Sequence, residues 1–135
     1  MVVSSATIKE QLQACHSKED TFRTLVALSK RLPRLSNEEK IEEHKVIGCE
    51  SAVWLITEDG NGTKETRHFK ADSDAKLMRG VLVAILSLVE GQSTQTIQKI
   101  DLADKLAELN LSRYLTSSRN NGINAIIGRI KAISN

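Results

Sequence analysis

The chain has 135 residues, the length of one ordinary domain, and 40% of them are apolar, which is enough for a hydrophobic core and excludes a disordered chain. Its 19 basic and 17 acidic residues give a formal net charge of +2, and the basic residues are scattered, so no nucleic acid is expected as a partner. The longest apolar run, Val81 to Leu86, is far shorter than the roughly 20 residues of a membrane span. The first residues lack the basic and apolar regions of a signal peptide, so we expect a cytoplasmic protein with no membrane partner.

The first third of the chain is predicted to be helical. Apolar residues recur at helical spacing at Ile8, Leu12 and Cys15, and a second helix is expected from Phe22 to Leu32, where a proline follows. The polar segment from Leu35 to Glu43 is expected to be a connecting turn or a short helix. Cys15 is therefore assigned to the core.

The middle third is predicted to form a small antiparallel sheet. Apolar and polar residues alternate from Val53 onward, and the residues DGNG (59–62) are typical of a hairpin turn. A second strand is expected over Thr63 to Lys70, and His44 to Ile47 is expected to pair as a third strand. Cys49 then lies at the bend between the first two strands in chain order.

The last half of the chain returns to helical patterns. A helix is expected to begin near ADSDAK, with Asp72 or Ser73 as its cap and Asp74 near its positive end. This helix is apolar on nearly every side from Val81 to Val89, which predicts the central buried helix, and Gly91 ends it.

Two further helical regions complete a single α+β domain of residues 1–135. One or two short helices are expected from Thr94 to Leu109, and a final helix from Ile123 to Ile133, with Ser117 or Ser118 as its cap.

Candidate chemistry is limited to the two cysteines, Cys15 and Cys49. No CxxC pair is present, so neither a disulfide nor a metal site is expected. For Cys49 the residues leave two interpretations open: a small buried hydrophobe in a turn, or a reactive thiol at a loop tip. The second is favoured by Gly48, which lets the backbone turn tightly and lets another molecule approach the sulfur. A Cys–His nucleophile pair would need a histidine brought to Cys49, which nothing in the sequence demands.

The chain resembles the SufE/CsdE family of sulfur-acceptor proteins in five segments that follow in the same order: GCES (48–51), VWL (53–55), DSDA (72–75), MRG (78–80) and LTSSRNNG (115–122). The resemblance runs from LSKRLPRL (28–35) to the final helix. It implies a three-stranded antiparallel sheet flanked by helices, a fold shared with NifU-type scaffold proteins.

The resemblance also implies a function. Such proteins take sulfane sulfur from a pyridoxal-phosphate cysteine desulfurase, stimulate that enzyme, and pass the sulfur to an iron–sulfur scaffold or another acceptor. The accepting residue maps onto Cys49, which would carry a transient persulfide. The implied protein is a carrier and not an enzyme. It has no cofactor of its own, because pyridoxal phosphate belongs to the desulfurase, and it is a monomer or weak dimer.

The resemblance places further residues around the accepting cysteine, which are Gly48, Glu50, Ser51, Asp74 and Arg119. The first three form the cysteine loop, and the last two hold that loop or the partner interface. Because an unperturbed cysteine with a pKa of ~8.5 is only a few per cent thiolate at neutral pH, we expect Cys49 to rest neutral and partly tucked in.

The sequence departs from the family pattern at KEDTF (18–22) and at Ala52, near the expected partner surface, which leaves open which desulfurase is recognised. It does not separate a SufE from a CsdE pathway. Two other functions stay open: an adaptor that binds the desulfurase without accepting sulfur, and a NifU-like cluster scaffold, which the low cysteine count disfavours.

Overall fold

A computed structural model describes residues 4–49, 51–60, 63–109, 111 and 117–133. Its α-helices are α1 (Ser5–Gln13), α2 (Lys18–Ser29), α3 (Lys76–Val89), α4 (Thr94–Lys99), α5 (Leu102–Ala107) and α6 (Ser117–Ile133). Its strands are β1 (Val53–Gly60) and β2 (Thr63–Ser73), and a 3-10 turn covers Glu42–His44. Mixed helices and an antiparallel sheet confirm the predicted α+β class. None of the helices in the described ranges is long and apolar enough to cross a bilayer.

The two strands form the predicted antiparallel hairpin, in which Val53 pairs with Ser73. Residues 61 and 62 of the expected hairpin turn lie outside the described residues. β2 continues three residues past Lys70, so Asp72 is inside the strand, opposite Trp54. The alternation of apolar and polar residues in β1 therefore located the sheet, while the end of β2 was placed too early.

The segment from His44 to Ile47, which was expected to be a third strand, forms only one bridge to the sheet. Within the described residues the sheet has two strands, and the segment before Gly48 adds a single bridge between Lys45 and Trp54. The N–H of Val46 donates to the carbonyl of Val53 at 2.8 Å. A 3-10 turn just upstream and the bend at Gly48 just downstream leave no room for a longer ladder.

The central helix α3 is buried from Met78 to Leu86, as predicted, and Gly91 follows its end with a φ of +75°. It packs against both α2 and β2. The approach to α2 is very close, because a Cβ atom on Gly80 would lie 2.2 Å from the carbonyl oxygen of Leu25. This glycine is therefore required by helix packing.

The start of α3 differs from the prediction. Asp72 is not a cap, because it belongs to β2 and is fully buried. Ala75 occupies the N-cap position and no side chain caps the helix there. The hydroxyl of Ser73 does accept the N–H of Ala75 at 3.1 Å, which tightens the turn from strand to helix.

The remaining helix boundaries are the end of α2 and the start of α6. Helix α2 ends at Ser29, earlier than expected, because Pro33 disfavours a helical conformation just before it. The carbonyls of Ser29 and Leu32 instead accept hydrogen bonds from the guanidinium of Arg79, at 3.0 and 2.5 Å. The predicted cap of α6 at residues 117–118 lies where the structure describes no side chains.

Candidate functional site

Cys49 lies in the turn that leads into β1 and rests against α6. Its thiol is half-buried and donates a hydrogen bond to the carbonyl of Gly122 at 3.4 Å. A Cβ atom on Gly122 would lie 3.6 Å from the sulfur, so the thiol contacts bare helix backbone. The other cysteine, Cys15, is buried as predicted, with its sulfur 3.2 Å from the hydroxyl of Thr24.

Gly48 sets the path of the chain into the turn. Its φ of +103° lies in the region that side chains rarely adopt, and a Cβ atom there would come within 3.3 Å of the Cβ of Ala125. Gly48 and Cys49 therefore pack on one turn of α6, from Gly122 to Ala125. This explains why a glycine precedes the cysteine.

The far end of the cysteine turn is held to the end of β2 through Ala52. The N–H of Ala52 donates to Oδ1 of Asp74 at 3.2 Å. In return, the carbonyl of Ala52 accepts from the N–H of Asp74 at 3.3 Å and from the hydroxyl of Ser73 at 2.7 Å. Asp74 is itself exposed to solvent. These three bonds hold the last residue before β1.

A buried ionic group lies directly beneath this end of the hairpin. The side chain of Asp72 is completely buried and pairs with Arg79 at 2.5 Å, with Lys40 at 3.3 Å and with Arg34 at 3.8 Å. Its oxygens also accept the N–H groups of Leu35 at 3.1 Å and Ser73 at 2.8 Å. The carboxylate therefore connects β2 to α3 and to the loop that follows α2.

Folding shifts the pKa values of Cys49 and Asp72 in opposite directions. Burial raises the pKa of the Cys49 thiol, so the resting side chain is the neutral thiol. Burial also opposes ionisation of Asp72, but the N–H groups of Leu35 and Ser73 and the charges of Lys40 and Arg79 outweigh it. The pKa of Asp72 is therefore held below its usual range.

The residues predicted to surround the thiol are placed unevenly. Gly48 and Cys49 are adjacent to α6, and Asp74 contacts the turn through Ala52, whereas Ser51 is half-buried in the turn. Glu50 lies outside the described residues. Arg119 lies on α6 one turn before the residue that Cys49 contacts, and its guanidinium is 5.9 Å from the centre of the Phe22 ring.

The sequence patterns missed several residues that build the site. Gly122 lies in the segment LTSSRNNG but was assigned no role, and no sequence pattern pointed to Ala125 or to the hydroxyl of Ser73. Asp72 and Arg79 lie in the segments DSDA and MRG, yet their pairing across seven positions was not foreseen. Only a contact across elements distinguishes these residues from ordinary helix and strand positions.

The chemistry available at the site is that of a thiol. The ring of His44 bonds the carbonyl of Glu39 and that of His68 bonds Glu90, so both are engaged elsewhere. Across the described residues, no group of three or more His, Cys, Asp or Glu side chains could hold a metal ion. The turn keeps a neutral sulfur partly covered, and deprotonation would turn it into a nucleophile.

Known proteins resemble this chain over most of its length. A family model described as SufE, an Fe-S metabolism associated domain, matches residues 6–134. The sulfur acceptor protein CsdE of Escherichia coli is 33% identical over 127 residues, which cover 92% of this chain and 83% of CsdE. An uncharacterized SufE-like protein of Rhizobium etli is 34% identical over 114 residues, covering 84% and 77% of the two chains. A second one, from Rhizobium meliloti, is 35% identical over 115 residues, covering 84% and 82%.

A solution structure of a hypothetical protein from Thermus thermophilus has the same fold. The two structures superpose with a TM-score of 0.74 over 99% of this chain and 96% of that chain, at 16% sequence identity. The order of the motifs, the fold and the extent of the family match all agree. The chain belongs to the SufE family, whose domain is associated with Fe–S metabolism.

Proposed function

We propose that this protein is a sulfur acceptor that takes sulfane sulfur from a pyridoxal-phosphate cysteine desulfurase onto Cys49 and passes it on for iron–sulfur cluster assembly. Membership of the SufE family supports the proposal, as does similarity to CsdE, which is named a sulfur acceptor protein. The observation that carries it is the placement of Cys49. Of the two thiols in the chain, it alone is partly accessible, at a turn held from both ends.

The transfer is an exchange between a thiol and a persulfide. The Cys49 thiolate attacks the outer sulfur of the donor's Cys–S–SH group and forms a new S–S bond. The S–S bond to the donor cysteine breaks, and that cysteine leaves as a thiolate that takes up the proton lost by Cys49. No oxidant is needed, because one sulfur–sulfur bond replaces another.

The resting geometry suits a carrier more than a free-standing nucleophile. The raised pKa of Cys49 lowers its thiolate fraction at neutral pH, and the carbonyl of Gly122 accepts a bond that only the neutral thiol can donate. Reaction therefore requires the thiol to leave this carbonyl when the donor docks. The same cover limits attack on a persulfide by water or stray thiols.

Stimulation of the desulfurase follows from the exchange. Removing the outer sulfur returns the donor cysteine to its free form, so the next turnover can start. An acceptor that empties the donor faster than small thiols do raises the turnover rate without chemistry of its own.

The test is to incubate the chain with a cysteine desulfurase and cysteine, and to measure the intact mass and a peptide map without reducing agent. We expect the mass of one sulfur atom to appear on Cys49, and Cys49→Ser to lose both this mass and the stimulation. The matched control is Cys15→Ser, which replaces a buried thiol and should keep both.

Two outcomes would contradict the proposal. Sulfur found on Cys15 would show that the accepting residue is wrong. Stimulation that survives in Cys49→Ser would instead identify a non-covalent adaptor of the desulfurase.

A further inference from the structure

We propose that the sulfur donor docks on a surface formed by Ile47, Lys30, Arg34 and Lys76, which we call the docking surface. It would meet an apolar site on the donor at Ile47 and acidic side chains at the three cations. This inference rests on the proposed sulfur-acceptor function and names the features of the partner that this chain recognises.

Ile47 is the apolar part of the docking surface. It is 77% exposed, more than any other large apolar side chain in the described part of the chain, while its neighbour Val46 is 3% exposed. Ile47 and Cys49 are two positions apart in the chain, so their Cα atoms are at most about 7 Å apart. Because exchange requires the donor sulfur to touch the Cys49 sulfur, the donor surface must reach Ile47.

Nothing in the fold accounts for an isoleucine at this position. Val46 fills the core, and the next side chain points into water, where a polar residue would serve the turn equally well. Positions that break a local rule without a structural gain are expected at functional sites. An exposed isoleucine two residues from the proposed reactive thiol is such a position.

The cations lie at the other end of the cysteine turn, around a cavity of about 260 Å³. The residues that line this cavity are Ser29, Lys30, Arg34, Asp74, Lys76 and Arg79. They include four cations and one acid, and the acid is the residue whose carboxylate holds Ala52. Arg79 and Arg34 share the buried carboxylate of Asp72, at 2.5 and 3.8 Å, so the cavity keeps a net positive charge mainly through Lys30 and Lys76. The basic cavity is continuous with the cysteine turn, and its net charge is complementary to an acidic surface.

Lys76 is the most informative of these cations. It lies in the first turn of α3, which has no acidic residue and no side-chain cap, and it forms no ion pair with the described residues. A cation is disfavoured at this end of a helix, because the helix dipole is positive there. Lys76 therefore lowers the stability of α3 in the free protein. Like the exposed Ile47, it is a residue near the cysteine turn that has no structural benefit.

The sign of two effects tests the role of Lys76. Lys76→Glu should raise the melting temperature, because an acid then stands at the positive helix end. It should also raise the KM for this chain as sulfur acceptor about fivefold and weaken the salt dependence of that KM. If the role of Lys76 were purely structural, a variant with a higher melting temperature would not also have a higher KM.

Lys9→Glu is the matched control, because it makes the same charge change on α1. Lys9 lines a different cavity, beside Ser87 and Leu88 at the other end of α3. Its KM should stay within about twofold of the wild type, the range expected for a surface change outside the interface.

The apolar contact is tested with Ile47→Ser, which should raise the KM about tenfold while the rate at saturating acceptor stays unchanged. Ile41→Ser is its control, because Ile41 is the other exposed large apolar residue described, at 38%. An unchanged KM in either Ile47→Ser or Lys76→Glu overturns the docking surface.

Failure of the docking surface and failure of the proposed function give different results. If the wild-type chain gains a sulfur on Cys49 but either variant keeps the wild-type KM, only the docking surface is wrong. If the wild-type chain gains no sulfur, the proposed function fails before any variant is compared.

Discussion

Asp72 and Asp74 stand two residues apart in one motif, yet they hold the molecule in different ways. Asp72 is completely buried, accepts two backbone N–H groups and pairs with three cations. Asp74 is exposed and bonds the N–H of Ala52. A paired charge in a dry site is costly to break, whereas an exposed polar contact exchanges readily with water. The motif therefore places a buried ionic contact at Asp72 beside an exposed contact at Asp74, and the second can break without unfolding the protein.

The same contrast appears in the ionisable groups of the two regions. Beneath the hairpin the fold favours the charged carboxylate of Asp72, and in the turn it favours the neutral thiol of Cys49. A fixed charge connects elements that must not separate. A neutral, partly covered thiol can leave its site at little electrostatic cost.

The largest expected effect comes from removing the buried charge. Asp72→Asn leaves Arg79 buried without its anion and should lower the free energy of unfolding by about 3–5 kcal/mol. Urea unfolding followed by circular dichroism measures this change. The control is Asp20→Asn, which breaks the exposed pair with Arg23 at 3.2 Å and should cost about 1 kcal/mol or less. Equal losses in the two variants would remove the distinction between the two regions.

A smaller effect is expected from changing the backbone of the turn. Gly48→Ala places a side chain at a φ of +103° and against Ala125, which should cost about 1–2 kcal/mol and speed alkylation of Cys49. Gly128→Ala is the matched control on α6, because a Cβ there meets nothing within 4 Å. It should stabilise the protein by up to about 1 kcal/mol. A loss of stability at both glycines would contradict the assigned role of Gly48.

The exposed contact of Asp74 should matter little for stability and more for the thiol. Asp74→Ala is expected to cost about 1 kcal/mol or less, since water can replace the lost acceptor. It should nevertheless raise the rate at which a thiol reagent modifies Cys49, because the turn loses one of the three bonds at Ala52. Asp74→Asn keeps an acceptor oxygen and should stay near the wild-type rate. No change of rate in Asp74→Ala would show that this contact does not hold the turn.

The smallest effect concerns pH. Because the pKa of Cys49 is raised by folding, its stabilising contribution is complete below the pKa of the unfolded chain, ~8.5, and is lost as the pH rises through the higher folded value. The wild type should therefore lose stability relative to Cys49→Ser as the pH rises from about 8. Asp72 has the opposite sign: its contribution is lost as the pH falls through its lowered folded pKa. Parallel unfolding curves for the wild type and Cys49→Ser above pH 8 would contradict the assignment for Cys49.

The pattern of residues along the chain determined the elements whose signals are local. Alternation and turn residues located the β1–β2 hairpin, and the apolar run on every side located α3 at the centre. The same reasoning placed Cys15 in the core and Cys49 in a turn after a glycine. Each of these conclusions needs only the residues of one segment, because strand and helix periods are read over neighbouring positions.

The tertiary structure decided what those segments do to each other. Cys49 meets Gly122 across 73 positions, and Asp72 meets Leu35 across 37, and no local pattern encodes either contact. For this reason the sequence suggested a helix cap at Asp72, which is in fact a buried carboxylate that links β2 to α3. For the same reason a third strand was expected where a single bridge forms. Periodicity fixes which face of a segment is apolar, but burial, pairing and pKa depend on which distant backbone that face meets.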